Sequence, residues 1–283
     1  MKKATGYRQE HDSIGERAVP EQAYYGIQTL RAVENFCITR QRTHPALIES
    51  MVQVKKAAAL ANLAAGELDE KRAKAIAAAC DEILGGALHD EFIVDPVQGG
   101  AGTSLNMNAN EVIANRAIEL LGGEKGNYAL VSPNDHVNLG QSTNDVFPSA
   151  GRMAARRLLC TARIRLQALE DALEEKARQF DHVVKMGRTQ LQDAVPIRLG
   201  QEFAAYARAV RRDVARFDTA QDELKYLNLG GTAVGTGLNA SPVYARTGLR
   251  VCSLGCRVWN SCNLTTLWMP HRILIPMHTY LVF

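Results

Sequence analysis

Apolar residues recur every third or fourth position along most of the chain and alternate strictly almost nowhere, a pattern that predicts helices rather than sheets. The stretch "ALIESMVQVKKAAALANLAAGELDEKRAKAIAAACDEILGG" after Pro45 is rich in Ala, Leu, Glu and Lys and ends at Gly85-Gly86. It reads as two helices broken near Gly66. A longer helix is expected from about 151 to 180, where Leu159, Ala162, Leu166, Leu169, Leu173, Ala177 and Phe180 form one apolar stripe. A third is expected over about 199 to 227, with Phe203, Tyr206, Val210, Val214, Phe217 and Leu224 on one face. The fold class is therefore all-α. The expected organisation is a smaller N-terminal domain over 1–140, followed over 141–247 by the first part of a long-helix bundle.

Three polar, glycine-punctuated segments interrupt the helices. They are "GGAGTSLNMNANE" (99–111), "SPNDHVNLGQSTNDVFPS" (132–149) and "KMGRTQLQDAVPIRLGQEF" (185–203). Each places hydroxyls and carboxamides beside a tight turn ahead of a helix, where side-chain oxygens cap and backbone N–H groups hold anions. Taken singly, each reads as a helix N-cap. Together they point to a pocket of neutral donors for a small anionic substrate.

Composition narrows the setting. The 283 residues, 46% hydrophobic and 22% charged, suit a globular chain with a sizeable buried core. No membrane span is evident. The N-terminus lacks an apolar core and a cleavage site, so a cytoplasmic location is expected. Six cysteines form no C-x-x-C pair and no Cys/His zinc spacing, so free thiols and no metal are expected. The formal charge is only +3, and the densest basic run, "RAVRRDVAR", has Arg at helical spacing around an Asp. That run reads as a solvated helix face, and no nucleic-acid partner is expected.

All three polar segments, together with "AYYGIQTLRAVENF" near the N-terminus, resemble motifs of the aspartase/fumarase superfamily, in family order from about Asp12 to about Tyr244. The resemblance implies a lyase that eliminates a group across the carbon–carbon bond of a small dicarboxylate such as L-aspartate, giving fumarate. It implies an aspartase/fumarase-type all-α fold, a homotetramer, and no metal or organic cofactor. By the same resemblance, Thr103 is the contact from the first loop, Ser142, Thr143 and Asn144 those from the second, and Thr189 with Gln190 those from the third. Thr103, Ser142 and Thr143 would hold the carboxylate that takes up charge, Thr189 the other carboxylate, and Asn144 the departing amine.

Proton removal beside a carboxylate gives a doubly charged aci-carboxylate, so catalysis needs donors that bind this species better than the ground state. Hydroxyls and amides suit that task. Hydratases of the family commonly carry His where this chain has Gln190, and a Tyr-Trp pair where it has Tyr24-Tyr25. Both positions resemble the ammonia-lyases, with a class II fumarate hydratase as the alternative. His136 and His182 read as loop-bracing or surface residues, and Asp145 and Asp193 as backbone caps. Glu111 and Asn108 are expected to brace the first loop from the helix that follows it.

From Gly248 to Phe283 the composition changes. This tail has no Asp or Glu but holds both Trp and three of the six Cys, and removing its three Arg leaves 30 basic residues against 30 acidic. Reverse translation of Val251 to His278 in a shifted frame can yield "LVDATQNTDSYA", which resembles the family's continuation after "GTGLNA". The expectation is a frameshift between about Tyr244 and Val251, with 248–283 a non-family tail. The family's glycine-serine loop, with the serine that acts as base, would lie beyond the shift. No catalytic base is therefore assigned. The chain would be an inactive, truncated lyase or a non-catalytic fragment, and its assembly into a tetramer is in doubt.

Overall fold

The structure is a computed structural model that describes residues 6–244. The tail from Gly248, expected to arise from a frameshift, lies outside the described residues. The contacts divide the described chain into two units, residues 6–154 with 226–244, and residues 155–225. The division between units falls within one helix, after Ala154, because Val146, Ala150 and Met153 are buried in the first unit's core.

The first unit opens with an antiparallel hairpin, β1 (Tyr7–Asp12) and β2 (Gly15–Pro20), which pairs Tyr7 with Pro20 and Asp12 with Gly15. Helices α1 (Ile27–Asn35), α2 (Pro45–Ala65), α3 (Glu70–Leu84) and α4 (Thr103–Leu120) follow. The break expected near Gly66 is present. Gly66 takes the left-handed conformation (φ 75°) that ends α2, and Asp69 caps α3 by accepting the Arg72 N–H at 3.0 Å. Helix α4 is central, with thirteen of its eighteen residues buried. Its Leu105, Val112, Ile113 and Ile118 pack with Met51 and Val52 of α2 and Ile76 and Ile83 of α3. One π-helical turn, Pro133–Val137, precedes the long helix α5 (Thr143–Gln179).

So deeply buried a helix must satisfy its polar side chains internally. Asn115 accepts the Gly126 N–H at 2.7 Å and donates to the Tyr24 carbonyl at 2.8 Å. Asn108 accepts the Ile93 N–H and donates to the Glu91 carbonyl, both at 3.0 Å, and so braces the strand of chain leading to the first loop. Glu111 departs from expectation. It turns away from that loop and caps α1, accepting the N–H groups of Gly26, Gln28 and Thr29 and the Thr29 hydroxyl at 2.6–3.0 Å. The start of α1 has no capping side chain of its own, so the carboxylate is supplied from across the core.

The second unit comprises α5 beyond Ala154, the hairpin β3 (Val184–Thr189) and β4 (Gln192–Arg198), and α6 (Leu199–Glu223). Cross-links between Cys160 and Gln221, Arg163 and Asp218, and Glu170 and Arg211 place α5 and α6 antiparallel. At the hairpin end a Cβ on Gly200 would lie 2.4 Å from the Ala177 carbonyl oxygen, so only glycine fits the approach. The run from Arg208 to Arg216 is mostly exposed, with Arg211 paired to Glu170 and Glu174 and Arg216 to Asp213. The hairpin departs from the all-helical reading, since "KMGRTQLQDAVPIR" forms two strands where a turn ahead of a helix was expected. Among the described residues no helix is long and apolar enough to cross a membrane.

Candidate active site

Two helix N-termini lie side by side in the first unit. Helix α4 starts at Thr103 after Gly102, whose positive φ of 76° suits glycine and whose missing Cβ makes room for the Phe147 ring, 2.4 Å from where that atom would stand. Helix α5 starts at Thr143. The Asn106 carboxamide, one turn into α4, donates to the Thr143 Oγ1 at 3.0 Å and ties the two starts together. Unpaired N–H groups and the helix dipole make each start attractive to an anion.

The loop ahead of α5 closes as a reciprocal cap. The Ser142 Oγ accepts the Asn144 N–H at 3.3 Å, and Asp145 Oδ1 accepts the Ser142 N–H at 2.9 Å. Asp145 Oδ2 also accepts the N–H groups of Gly230 and Thr232, so the carboxylate ties residues 230–232 to the loop. Asp145 is thus a cap, as its position in the turn predicted. Burial raises its carboxyl above the usual range, against the pull of these donors and of Lys55. Asn144 donates its Nδ2 to the Ala233 carbonyl at 2.8 Å, which leaves its Oδ1 as the outward acceptor.

Beneath the loop sits a group that sequence reasoning missed. Lys55 is fully buried, and its Nζ donates to Asn138 Oδ1 at 2.7 Å and to Gln141 Oε1 at 3.0 Å. Burial lowers its pKa to about 7, opposed chiefly by the charge of Asp145. Asn106 and Asn110 also donate to Asn138 Oδ1, both at 3.3 Å. A signal was available. Lys55 lies at helical spacing from Met51, Ala59 and Asn62 on the core face of α2, while Lys56 next to it reaches Asp81 at the surface.

Thr103 is exposed at the α4 start, and Ser142, Thr143 and Asn144 are half-buried around the α5 start. These four predicted residues belong to one unit and converge on its paired helix starts. Thr189 and Gln190 belong to the other unit, exposed at the tip of the β3–β4 hairpin. Gln190 and Leu191 form its two-residue turn with φ of 49° and 66°, the left-handed region that non-glycine residues enter at a cost. His136 braces the loop through Nδ1, which accepts the Ser132 N–H at 2.8 Å, and His182 is exposed. Cys37, Cys80 and Cys160 form no disulfide, and the other three cysteines lie outside the described residues. Among the described residues no cluster of His, Cys, Asp and Glu could hold a metal.

Chemically, the first-unit site presents hydroxyl donors and helix N-termini. Ser142 Oγ and Thr143 Oγ1 each already accept a hydrogen bond from the protein, so each has its O–H hydrogen left to offer an anion.

Residues 15–265 match a protein-family profile described as lyase. The matched stretch ends inside the tail of altered composition. Over 240 residues the chain is 56% identical to an aspartate ammonia-lyase of a Bacillus species, covering 85% of this chain and 51% of that protein. It is 52% identical over 242 residues to a class II fumarate hydratase of Halobacterium salinarum, covering 85% and 51%. Among solved structures, a fumarate lyase:delta crystallin from Brucella melitensis superposes with a TM-score of 0.82 at 52% identity, covering 88% of this chain and 54% of that one. The chain spans about half the length of the curated relatives it matches. The chain therefore belongs to the lyase family of the aspartase/fumarase superfamily and has its helical fold.

Proposed function

We propose that the paired starts of α4 and α5 form the carboxylate-binding half of an aspartate ammonia-lyase site. The observation that carries this reading is that Ser142 Oγ and Thr143 Oγ1 each accept a bond from the protein and keep an O–H to donate beside two helix N-termini. In the elimination, a base takes the proton from the carbon beside one carboxylate of L-aspartate. The electron pair moves into that carboxylate to give the aci-carboxylate dianion, then returns to form the double bond as the carbon–nitrogen bond breaks. Fumarate and ammonia leave. Thr103, Ser142 and Thr143 hold the carboxylate that gains charge, and one such donor is worth about 3 kcal/mol. Thr189 takes the second carboxylate. The Asn144 Oδ1 and the Gln190 carboxamide oxygen accept N–H bonds from the leaving amine.

No described residue is assigned as the base, and the chain as written is proposed to be inactive because the loop that carries it lies beyond the expected frameshift. Family homotetramers would complete such a site from several copies. The purified chain should release no fumarate from L-aspartate above background, and turnover that survives Thr189→Ala would overturn both statements. A second reading, fumarate hydratase, is favoured by the Halobacterium salinarum relative. Restoring the downstream frame and assaying L-aspartate and L-malate side by side decides between them. Deamination with L-malate left untouched is expected, since an imidazole rather than Gln190 would suit a water leaving group near neutral pH. Faster turnover of L-malate moves the assignment to the hydratase.

A further inference from the structure

Asn106 presents its NH2 to the Thr143 hydroxyl, which leaves the hydroxyl hydrogen for another acceptor. Asn106 Nδ2 spans two acceptors, Thr143 Oγ1 at 3.0 Å and Asn138 Oδ1 at 3.3 Å. Its own Oδ1 is buried with no partner among the described residues, so nothing on that side of the amide holds it in place. The orientation of Asn106 therefore depends on Asn138 presenting oxygen rather than NH2. Asn110 reads the same oxygen, also through Nδ2, at 3.3 Å.

Two contacts make Asn138 present oxygen: its Nδ2 donates to the Gln141 carbonyl at 3.3 Å, and Lys55 meets its Oδ1 at the shorter distance of 2.7 Å. An ammonium has donors and no acceptor, so a carboxamide facing it must turn its oxygen inward. We propose that Lys55 is a positioning residue for the substrate loop: through Asn138 and Asn106 it sets the direction of a hydrogen-bond relay that makes the Thr143 hydroxyl a donor. The direction runs from Lys55 Nζ to Asn138 Oδ1, and from Asn106 Nδ2 to both Asn138 Oδ1 and Thr143 Oγ1. Without Lys55, only the 3.3 Å bond from Nδ2 to the Gln141 carbonyl opposes a turn of the Asn138 NH2 toward α4. Asn106 would then turn its Oδ1 toward Asn138 and Thr143, and the Thr143 hydrogen would be spent on Asn106 instead of a ligand carboxylate.

The second acceptor on Lys55 supports the same assignment. Gln141 gives its Oε1 to Lys55 and its Nε2 to the carbonyls of Val137 and Leu139, so its orientation is fixed at both ends. The groups whose charges act on Lys55 are Asp145 from α5 and Cys80 from α3, and burial raises the Cys80 thiol. The faces that α4 and the 138–141 loop turn to it are carboxamides. A neutral amine still carries two hydrogens, enough for both oxygens, so the relay persists when Lys55 loses its proton.

This inference rests on reading the Ser142–Asn144 loop as the carboxylate site, and the test separates the two. The measurements are succinate affinity by calorimetry and the side-chain amide NMR resonances of Asn106 and Asn138, in the full chain and in Lys55→Met, Asn106→Asp and Thr143→Ala. Lys55→Met should weaken succinate about tenfold, the weight of one hydrogen bond. It should also move both amide resonances without lowering the melting temperature, because it removes a buried charge. Asn106→Asp, which can only accept from Thr143, should weaken succinate to the same degree and stands in if Lys55→Met does not fold. Unmoved Asn106 and Asn138 resonances in Lys55→Met, or unchanged affinity in Lys55→Met or Asn106→Asp while Thr143→Ala binds weakly, overturn the relay. Unchanged affinity in Thr143→Ala, or no succinate binding by the parent chain, overturns the loop's assignment instead. In that case the resonances still decide on the relay.

Discussion

Replacing Glu111 with Leu should expose how much of the N-terminal docking depends on one buried carboxylate. Leu keeps most of the volume but leaves three N–H groups and the Thr29 hydroxyl, now held at 2.6–3.0 Å, without an acceptor. At the lower end of the cost of a buried unsatisfied donor, about 1 kcal/mol each, the loss is about 4 kcal/mol. Against this stands the carboxylate's own burial, which raises its pKa from 4.5 to about 6. That rise corresponds to about 2 kcal/mol above pH 6, a cost that Leu does not bear. A carboxyl whose folded pKa is raised contributes its full stability below the unfolded value and loses part of it as pH rises through the folded one. The substitution should therefore cost about 4 kcal/mol below pH 4.5 and only about 2 kcal/mol at about pH 7.5. Urea unfolding at about pH 5 and about pH 7.5, with amide exchange at Gly26, Gln28 and Thr29, measures both. A cost under about 1 kcal/mol at both values, or one that grows with pH, would refute the assignment of these donors to Glu111.

Other consequences can be checked independently. With the folded pKa of Lys55 near 7 and an unfolded value of 10.5, the unfolded chain binds the extra proton between them, so stability should rise with pH across that window. Urea midpoints of Lys55→Met should lack this rise, and an identical rise in the variant would remove Lys55 as its source. Leu191→Gly should stabilise the second unit by roughly 0.5–1 kcal/mol, since Leu191 is fully exposed at a φ of 66° and gives up no packing. A lower thermal midpoint would contradict that. Leu169 of the α5 stripe and Tyr206 of the α6 stripe are 48% and 56% exposed, and exposed stripes of this kind favour association. Light scattering should show oligomers, and a monomer with no tendency to associate would count against the reading of these stripes as bundle-facing.

The longer helices were legible because their stabilising faces are written in the sequence at a period near 3.6, down to the stop at Gly66. The hairpins were not. The β3–β4 turn is made by Gln190 and Leu191 at positive φ, with none of the Asn-Gly chemistry that announces such a turn. The first hairpin has no apolar alternation. It is held instead by Arg8, which donates to the carbonyls of Pro20, Glu21, Ala23 and Tyr25, a set of partners no local pattern encodes. The candidate site's hydroxyls lie in motifs that the sequence singles out, whereas its supporting layer is signalled only by the place of Lys55 on the core face of α2. A lysine in an Ala-rich helix normally predicts solvent, and the carboxamides of the 138–141 loop together with the charge of Asp145 make burial of Lys55 tolerable.

The three asparagines set at every second position in α4 acquire a physical reason from that layer. On a helix, residues four apart share a face and a residue two away lies on the opposite side. Asn106 and Asn110 accordingly meet the oxygen of Asn138, while Asn108 turns to the backbone of residues 91–93. A carboxylate site of the kind proposed gains from positive potential, and most where charge develops on the ligand. Helix N-termini and hydroxyls respond to where charge develops, and a cation held one layer below adds field without offering itself as a ligand. Neutral carboxamides are the side chains that can separate such a cation from the ligand while passing its orientation on, because each has a donor end and an acceptor end. Aliphatic residues at 106 and 138 would fill the same space, but the Thr143 hydroxyl would then have no fixed direction.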